Sequence, residues 1–305
     1  MITPIDELLT LRDWLRYAVS RFRAAKLVFG HGTTNALDEA AFLLLWGLHL
    51  PIDQLDPFID ARLTRPERER LLELIEARIT TRKPATYLTG EAWIKGHRFS
   101  IDERVIVPRS YIGEMLAGDD AVAADLSGLR GRILDLCTGS GCLAILAALN
   151  NPEAAVDAVE LSADALAVAR VNVADYGLEG RLTLLQGDLF APVSGRKYDL
   201  IISNPPYVTD ASVAAFPPEY AAEPRLAHAG GRDGLDLVRR ILAGAAVHLA
   251  AGGKLLVEVG TGKTALEAEF PDLPFLWLET EDSSGEVFLI GAGELPNKPT
   301  KRRRE

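Results

Sequence analysis

Cysteine is almost missing. Cys137 and Cys142 are the only two in 305 residues. Two thiols so close together supply neither a disulfide framework nor the four ligands of a structural zinc site. The expectation is a reducing cytoplasm, with both thiols small and buried. Long apolar runs are missing too. No stretch of about 18 residues is free of charges and breakers, which excludes a transmembrane helix and argues against membrane association. The first ten residues carry Asp6 and Glu7 and have no basic segment ahead of an apolar run, which argues against a secretory signal. Excess positive charge is lacking as well. The formal charge of −10 fits poorly with a chain-wide clamp on bare DNA or RNA. It suits a small neutral substrate or a basic protein partner. Internal repeats and zinc-like histidine spacing do not occur, so no metal site is expected.

The residues present are those of a globular chain: 48% hydrophobic and 25% charged. At roughly 100–200 residues per domain, the length suggests about two domains. The first 80 or so residues read as helical. Leu8, Leu11, Leu15, Ala18 and Phe22 recur on one helix face. Asn35 caps a helix over Ala36–Trp46, and Pro66 opens a third that runs to about Ile79. Between Pro84 and Pro108 the pattern changes. Tyr87–Gly90, Trp93–Phe99 and Val105–Val107 read as short β-runs broken by glycine, a hairpin linking two domains. From Ser110 on, strands alternate with helices. Strands fall at Arg132–Leu136, Val156–Val159, Leu182–Leu185, Tyr198–Ile202, Lys254–Val259, Phe275–Leu278 and Glu286–Ile290. Helices fall at Cys142–Leu149, Ala163–Tyr176 and Asp236–Leu249. This is an α/β pattern with a parallel sheet. The short polar turn before the last strand makes that strand antiparallel. The expected division is a helical domain over 1–83, a linker over 84–109, an α/β domain over 110–293 and a charged, disordered tail over 294–305. The basic run Lys301–Arg304 in that tail reads as solvated.

Asp135-Leu136-Cys137-Thr138-Gly139-Ser140-Gly141 closes the first strand of the sheet, where open α/β sheets bind ligands. The third glycine of the pyrophosphate fingerprint is absent, and no lysine follows as in a P-loop. Glu160 ends the second strand and can accept from both hydroxyls of a ribose. Asp188, in Gln186-Gly187-Asp188, ends the third and can accept from an adenine amino group. Taken alone, such acids also cap helices and turns. As a set they suit a nucleoside without a pyrophosphate, and S-adenosylmethionine is such a ligand. Its positive charges also favour an acidic cleft.

Asn204-Pro205-Pro206-Tyr207 follows the strand at Tyr198–Ile202. Two prolines end that strand in a stiff loop at the same sheet edge. A planar amide nitrogen is a poor nucleophile because its lone pair is delocalised. If the Asn204 side-chain oxygen and the Pro205 carbonyl each accept one N–H, the nitrogen can pyramidalise and present its lone pair to a methyl group. Pro206 stiffens the turn, and Tyr207 stacks on the planar group and excludes water. The same four residues also serve a structural turn, or the methylation of adenine N6 in DNA and of exocyclic amines in ribosomal RNA. A DNA enzyme needs a recognition region and a basic groove, and the acidic chain argues against direct DNA binding.

The chain from Asp135 to Gly141, with Asn204-Pro205-Pro206-Tyr207, Val107-Pro108-Arg109-Ser110, Glu223-Pro224-Arg225-Leu226-Ala227 and Gly231–Asp236, resembles the HemK family of protein glutamine N5-methyltransferases. The resemblance covers nearly the whole chain. It implies a seven-strand, Rossmann-like class I methyltransferase sheet behind a small helical N-terminal domain and a β-hairpin. It implies S-adenosylmethionine as cofactor and S-adenosylhomocysteine as product. It places the cofactor loop on Cys137, Thr138, Gly139, Ser140 and Gly141, with Asp135 before it. The ribose acid falls on Glu160, the adenine side on Asp188 and Leu189, and the glutamine amide on Asn204, Pro205, Pro206 and Tyr207. Asn204 also borders the cofactor. The family's release-factor branch often has tryptophan where Leu189 stands, and reads I-P-R-P-x-T-E where this chain has Pro108–Glu114. The stretch Phe29–Ala40 is similar to the PrmB branch instead. That likeness implies, as substrate, a basic ribosomal protein: the third protein of the bacterial large subunit. Contact with ribosomal RNA is then only indirect. The N-terminal helices are assigned to substrate recognition.

Overall fold

The computed structural model describes residues 3–118, 121–280 and 283–296. They form two compact units. One comprises the chain up to Ala92 with Ile101–Glu103 and Phe216–Ala222. The other comprises Trp93–Ser100, Arg104–Ala215 and the chain from Glu223 on. Of the expected tail, 294–305, residues 297–305 lie outside the described residues, and with them the run Lys301–Arg304. Residues 294–296 are described, with Leu295 buried against the second unit's core and Glu294 accepting from the Gly291 amide at 2.7 Å.

The first unit is built on three helices. Leu11–Ala24 starts at Thr10, where Thr10 and Asp13 exchange side-chain-to-backbone hydrogen bonds in a capping box. Its buried face is Leu11, Trp14, Ala18 and Phe22. Trp14 joins that face, with its indole N–H on the Leu8 carbonyl at 3.1 Å, while the expected Leu15 packs partly buried against the same core. Asn35 caps Ala36–Gly47 by accepting from the amides of Leu37 and Asp38, and Pro66 sits in the first turn of Arg65–Thr81. Arg78 of the third helix and Glu39 of the second are fully buried and meet at 2.6 Å. The rest of the guanidinium donates to the carbonyls of Arg82 and Val28, both at 3.1 Å. The segment Phe216–Ala222, far away in sequence, belongs to this unit. Its buried Glu219 accepts from Arg82 at 2.5 Å and from the Val28 amide at 3.0 Å.

Two expected β-runs prove otherwise. Tyr87–Thr89 is the end of a short helix, Ala85–Thr89, closed by Gly90 in the left-handed region at φ +72°. Val105–Val107 is mostly buried but belongs to no strand. In both places apolar residues are packed without a ladder, which a β-like composition cannot reveal. The hairpin itself is present: β1, Glu91–Ile94, and β2, His97–Ser100. Lys95 and Gly96 turn it with positive φ at both positions, the signature of a tight primed turn.

The seven strands of the second unit are β3 (Arg132–Leu136), β4 (Ala155–Glu160), β5 (Leu182–Gln186), β6 (Tyr198–Ser203), β7 (Leu249–Glu258), β8 (Leu276–Thr280) and β9 (Ser283–Gly291). Their spatial order is β5-β4-β3-β6-β7-β9-β8. β3 to β7 are parallel, and β9 runs antiparallel to both β7 and β8. This is the class I methyltransferase sheet. Each face carries its own apolar core, as a sheet covered on both sides requires. Ile133, Leu200, Ile202 and Leu256 pack on one side with the helix Cys142–Asn150. Leu134, Ile201, Leu255 and Val257 pack on the other with Asp236–His248. A helix not foreseen, Tyr111–Ala117, packs its Ile112 and Met115 into the first of these cores.

Candidate active site

Strand order reverses between β3 and β6. That switch point is where an open α/β sheet leaves a crevice at its carboxyl edge, and both motifs singled out in the sequence emerge there.

The turn after β3 is tight. Cys137, Gly139 and Gly141 all have positive φ, at 61°, 56° and 82°. Cys137 is therefore partly exposed on the turn rather than buried as expected, while Cys142 is buried at the start of the following helix. Burial pushes the Cys142 thiol up to about 12. Asp135 is fully buried beneath the turn and accepts from the Thr138 hydroxyl. Its burial raises the carboxyl to about 7. Behind the turn, the Asn172 amide donates to the Ser140 carbonyl at 2.8 Å. The same side chain exchanges two hydrogen bonds with the Ser100 backbone, at 2.7 and 3.0 Å.

In front of the turn lies a cavity of about 480 Å³, within the size range of small-molecule sites. Of the expected cofactor residues, Cys137, Gly139, Glu160, Asp188, Leu189 and Asn204 line it. Asp135, Thr138, Ser140 and Gly141 do not; they shape the turn from behind. Glu160 is held in place from both oxygens, accepting from the amides of Gly139 and Ser162, each at 2.9 Å. Asp188 pairs with Arg240 at 2.7 Å, and both side chains are half exposed. Leu189 is buried, with φ 47°, and gives the wall an apolar element. Val105 and Ile106, misread as a strand, line the same cavity.

The second motif leaves β6. Pro206 lines the cavity beside Asn204, whereas Pro205 is buried and Tyr207 is absent from the lining. The Asn204 amide nitrogen donates to the Arg109 carbonyl at 3.4 Å. The Tyr207 hydroxyl donates to Glu258 at 3.0 Å, and burial pushes its phenol well up. The chain passes close around this turn. A Cβ on Gly234, at φ +81°, would stand 2.2 Å from the Tyr207 carbonyl oxygen, and one on Gly260 would stand 2.6 Å from the Tyr207 ring.

Three carboxylates and an arginine near the site had no role in the reading of the residues alone. Glu223 accepts both guanidinium branches of Arg109 at 2.8 Å and the Val107 amide at 3.0 Å. Glu258 is 1% exposed, and burial raises its carboxyl to about 7. Asp236 and Arg240 line the cavity from the helix Asp236–His248. One signal was available for Glu258: it is a lone charge closing the apolar run from Leu255 to Val257.

Residues 117–216 match the model of the methyltransferase small domain. The chain is 57% identical over 293 residues to the ribosomal protein uL3 glutamine methyltransferase of Bordetella pertussis, covering 95% of this chain and 97% of that one. It is 56% identical to the protein of the same description from Bradyrhizobium diazoefficiens, covering 95% of this chain and 92% of the other. For that of Burkholderia pseudomallei the identity is 54%, over 97% and 99%.

Proposed function

We infer, from the premise that this chain belongs to the ribosomal protein uL3 glutamine methyltransferase family, that it methylates the side-chain amide nitrogen of a glutamine in ribosomal protein uL3. The observation that carries the chemistry is the place of Asn204. It closes β6 on the wall of a cavity that also holds Glu160, and its amide nitrogen is already engaged by the Arg109 carbonyl. The side-chain oxygen is thereby the acceptor left for a substrate N–H.

S-adenosylmethionine, when bound, supplies an electrophilic methyl group on a sulfonium. The residues present fit it. Glu160, fixed by two backbone amides, accepts from the ribose hydroxyls. Asp188 takes the adenine amino group and Leu189 gives the base an apolar wall. Asp135, Thr138, Ser140 and Gly141 hold the turn in shape. The Asn204 oxygen and the Pro205 carbonyl accept the two amide hydrogens of the substrate glutamine. This concentrates the nitrogen lone pair and aims it in line with the incoming methyl. Pro206 keeps the turn stiff, and Tyr207, outside the cavity lining, anchors the end of the turn on Glu258. The methylated nitrogen is strongly acidic and gives its proton to water, so no strong base is required.

Glu160→Ala is expected to weaken S-adenosylmethionine binding by about 1–3 kcal/mol, since two hydroxyls lose a charged acceptor. Calorimetry with unchanged affinity would take Glu160 out of the site. No helix among the described residues is long and apolar enough to cross a membrane. A ribosomal protein as substrate supports a cytoplasmic location. The helical unit offers no group for the chemistry, and we assign it to recognition of uL3. Attraction between a chain of charge −10 and a basic partner is screened as salt rises, with a Debye length of about 8 Å at physiological ionic strength. The kcat/KM for uL3 is therefore expected to fall with added salt while the affinity for S-adenosylmethionine changes little. A salt-independent kcat/KM would remove charge from the recognition step.

A further inference from the structure

Glu258 stands at the end of β7, a strand whose Leu255, Leu256 and Val257 are fully buried, and it is itself 1% exposed. A carboxylate in such a place is costly unless its lone pairs are filled. Here they are filled from two different parts of the chain. Oε2 accepts from the Ser110 hydroxyl at 2.7 Å and from the Tyr111 amide at 3.0 Å. Oε1 accepts from the Tyr207 hydroxyl at 3.0 Å. Glu258 does not line the cavity, so it does not reach the reacting atoms.

The groups it joins belong to the two segments that meet at Asn204. Tyr207 ends the Asn204–Tyr207 turn, and its ring lies so close to Gly260 that a Cβ there would stand 2.6 Å from it. The ring is thus fixed at its hydroxyl and along one edge. Ser110 directly follows Arg109, whose carbonyl accepts from the Asn204 amide. The other end of this short segment is held by Glu223, through the Val107 amide and the Arg109 guanidinium. Two buried carboxylates therefore pin residues 107–111, and Glu258 also holds the reactive turn.

We propose that Glu258 is a positioning residue for methyl transfer: by holding the Tyr207 hydroxyl and the Ser110 end of the 107–111 segment on one carboxylate, it keeps the Tyr207 end of the reactive turn in register with the carbonyl that orients Asn204. This rests on the amide-methylation reading above. Glutamine in its place preserves shape but removes the charge and brings an NH2 where the Tyr111 amide can only donate. The NH2 then faces Tyr207, whose hydroxyl must turn from donor to acceptor and loses the charge-assisted bond that fixed it.

The test is a double-mutant cycle in the full chain with Glu258→Gln, Tyr207→Phe and the pair. It measures kcat on uL3, affinity for S-adenosylmethionine and melting temperature. Each single variant is expected to lose about 10- to 100-fold in kcat, the scale of an ångström-sized misplacement. Cofactor affinity stays within about twofold, and the double variant falls no further than the worse single. Ser110→Ala, which removes one donor and little packing, is expected to lose less and to be non-additive with Tyr207→Phe. It carries the test if Glu258→Gln does not fold. Losses that multiply in the double variants overturn the proposal, as does full kcat in a folded Glu258→Gln. Cofactor affinity falling as far as kcat also overturns it, because that marks a general structural role. A wild-type chain that leaves uL3 glutamines unmethylated removes the functional reading instead, together with the step assigned to Glu258.

Discussion

Asn204→Ala is expected to lower kcat on uL3 by roughly 10²–10³-fold, the size of effect seen when one preorganised transition-state contact is removed. The reason lies in the amide nitrogen of the substrate. In the ground state its lone pair is spread into the carbonyl, and the Asn204 oxygen gains most when the nitrogen begins to pyramidalise. An interaction stronger in the transition state than in the ground state appears in kcat rather than in binding. The Asn204 amide is oriented by the Arg109 carbonyl at 3.4 Å, and alanine loses both bonds at once. Affinity for S-adenosylmethionine is expected to fall far less, because Glu160, Asp188 and Leu189 are untouched. Steady-state kinetics beside calorimetry separates the two quantities. A variant with near-normal kcat would make Asn204 a turn residue only.

The second large effect concerns stability. Arg78→Met is expected to destabilise the helical unit by about 3–5 kcal/mol, the cost of leaving one buried charge without its partner. Arg78 and Glu39 are 0% and 1% exposed. Their contact at 2.6 Å is joined by the Thr33 hydroxyl at 3.3 Å, also on Glu39. Burial already pushes the Glu39 carboxyl up against the pull of Arg78. With the guanidinium gone, Glu39 must take a proton or draw in water, and the carbonyls of Val28 and Arg82 lose a donor. Replacing both residues with apolar ones of similar volume removes the unpaired charge and is expected to recover most of the loss. Thermal melting of the single and double variants checks this. A single variant that melts with the wild type would mean that the pair contributes nothing to stability.

The sheet was legible in the sequence because a buried parallel strand is a short apolar run with turn residues at each end. Arg132–Leu136 and Tyr198–Ile202 are such runs, and the polar break before Glu286 marked the antiparallel return. The site was legible for a related reason. Asp135 to Gly141, Glu160 and Asn204–Tyr207 each follow such a run directly, so the strand order brings them to one edge. Less legible was what depends on contacts between distant segments. The mostly buried stretch Val105–Val107 imitates a strand in composition but is built into no ladder. Phe216–Ala222 gathers with the helical unit through Glu219 and Arg82, 137 residues apart. Nothing local in either stretch announces that bond. Likewise Asp135 reads as a ligand because it sits in the motif, while its place beneath the turn depends on Thr138 folding back over it.

Methyl transfer to a protein amide is tested most directly by one measurement. The purified chain is incubated with S-adenosylmethionine and unmodified ribosomal protein uL3, alone and alongside ribosomal RNA and DNA. The products are then mapped by mass spectrometry. The expected result is one methyl group on the side-chain nitrogen of a glutamine in uL3, absent when Asn204→Ala replaces the wild type. A methyl group found on an exocyclic amine of the nucleic acid, with every glutamine of uL3 left unmodified, would contradict it.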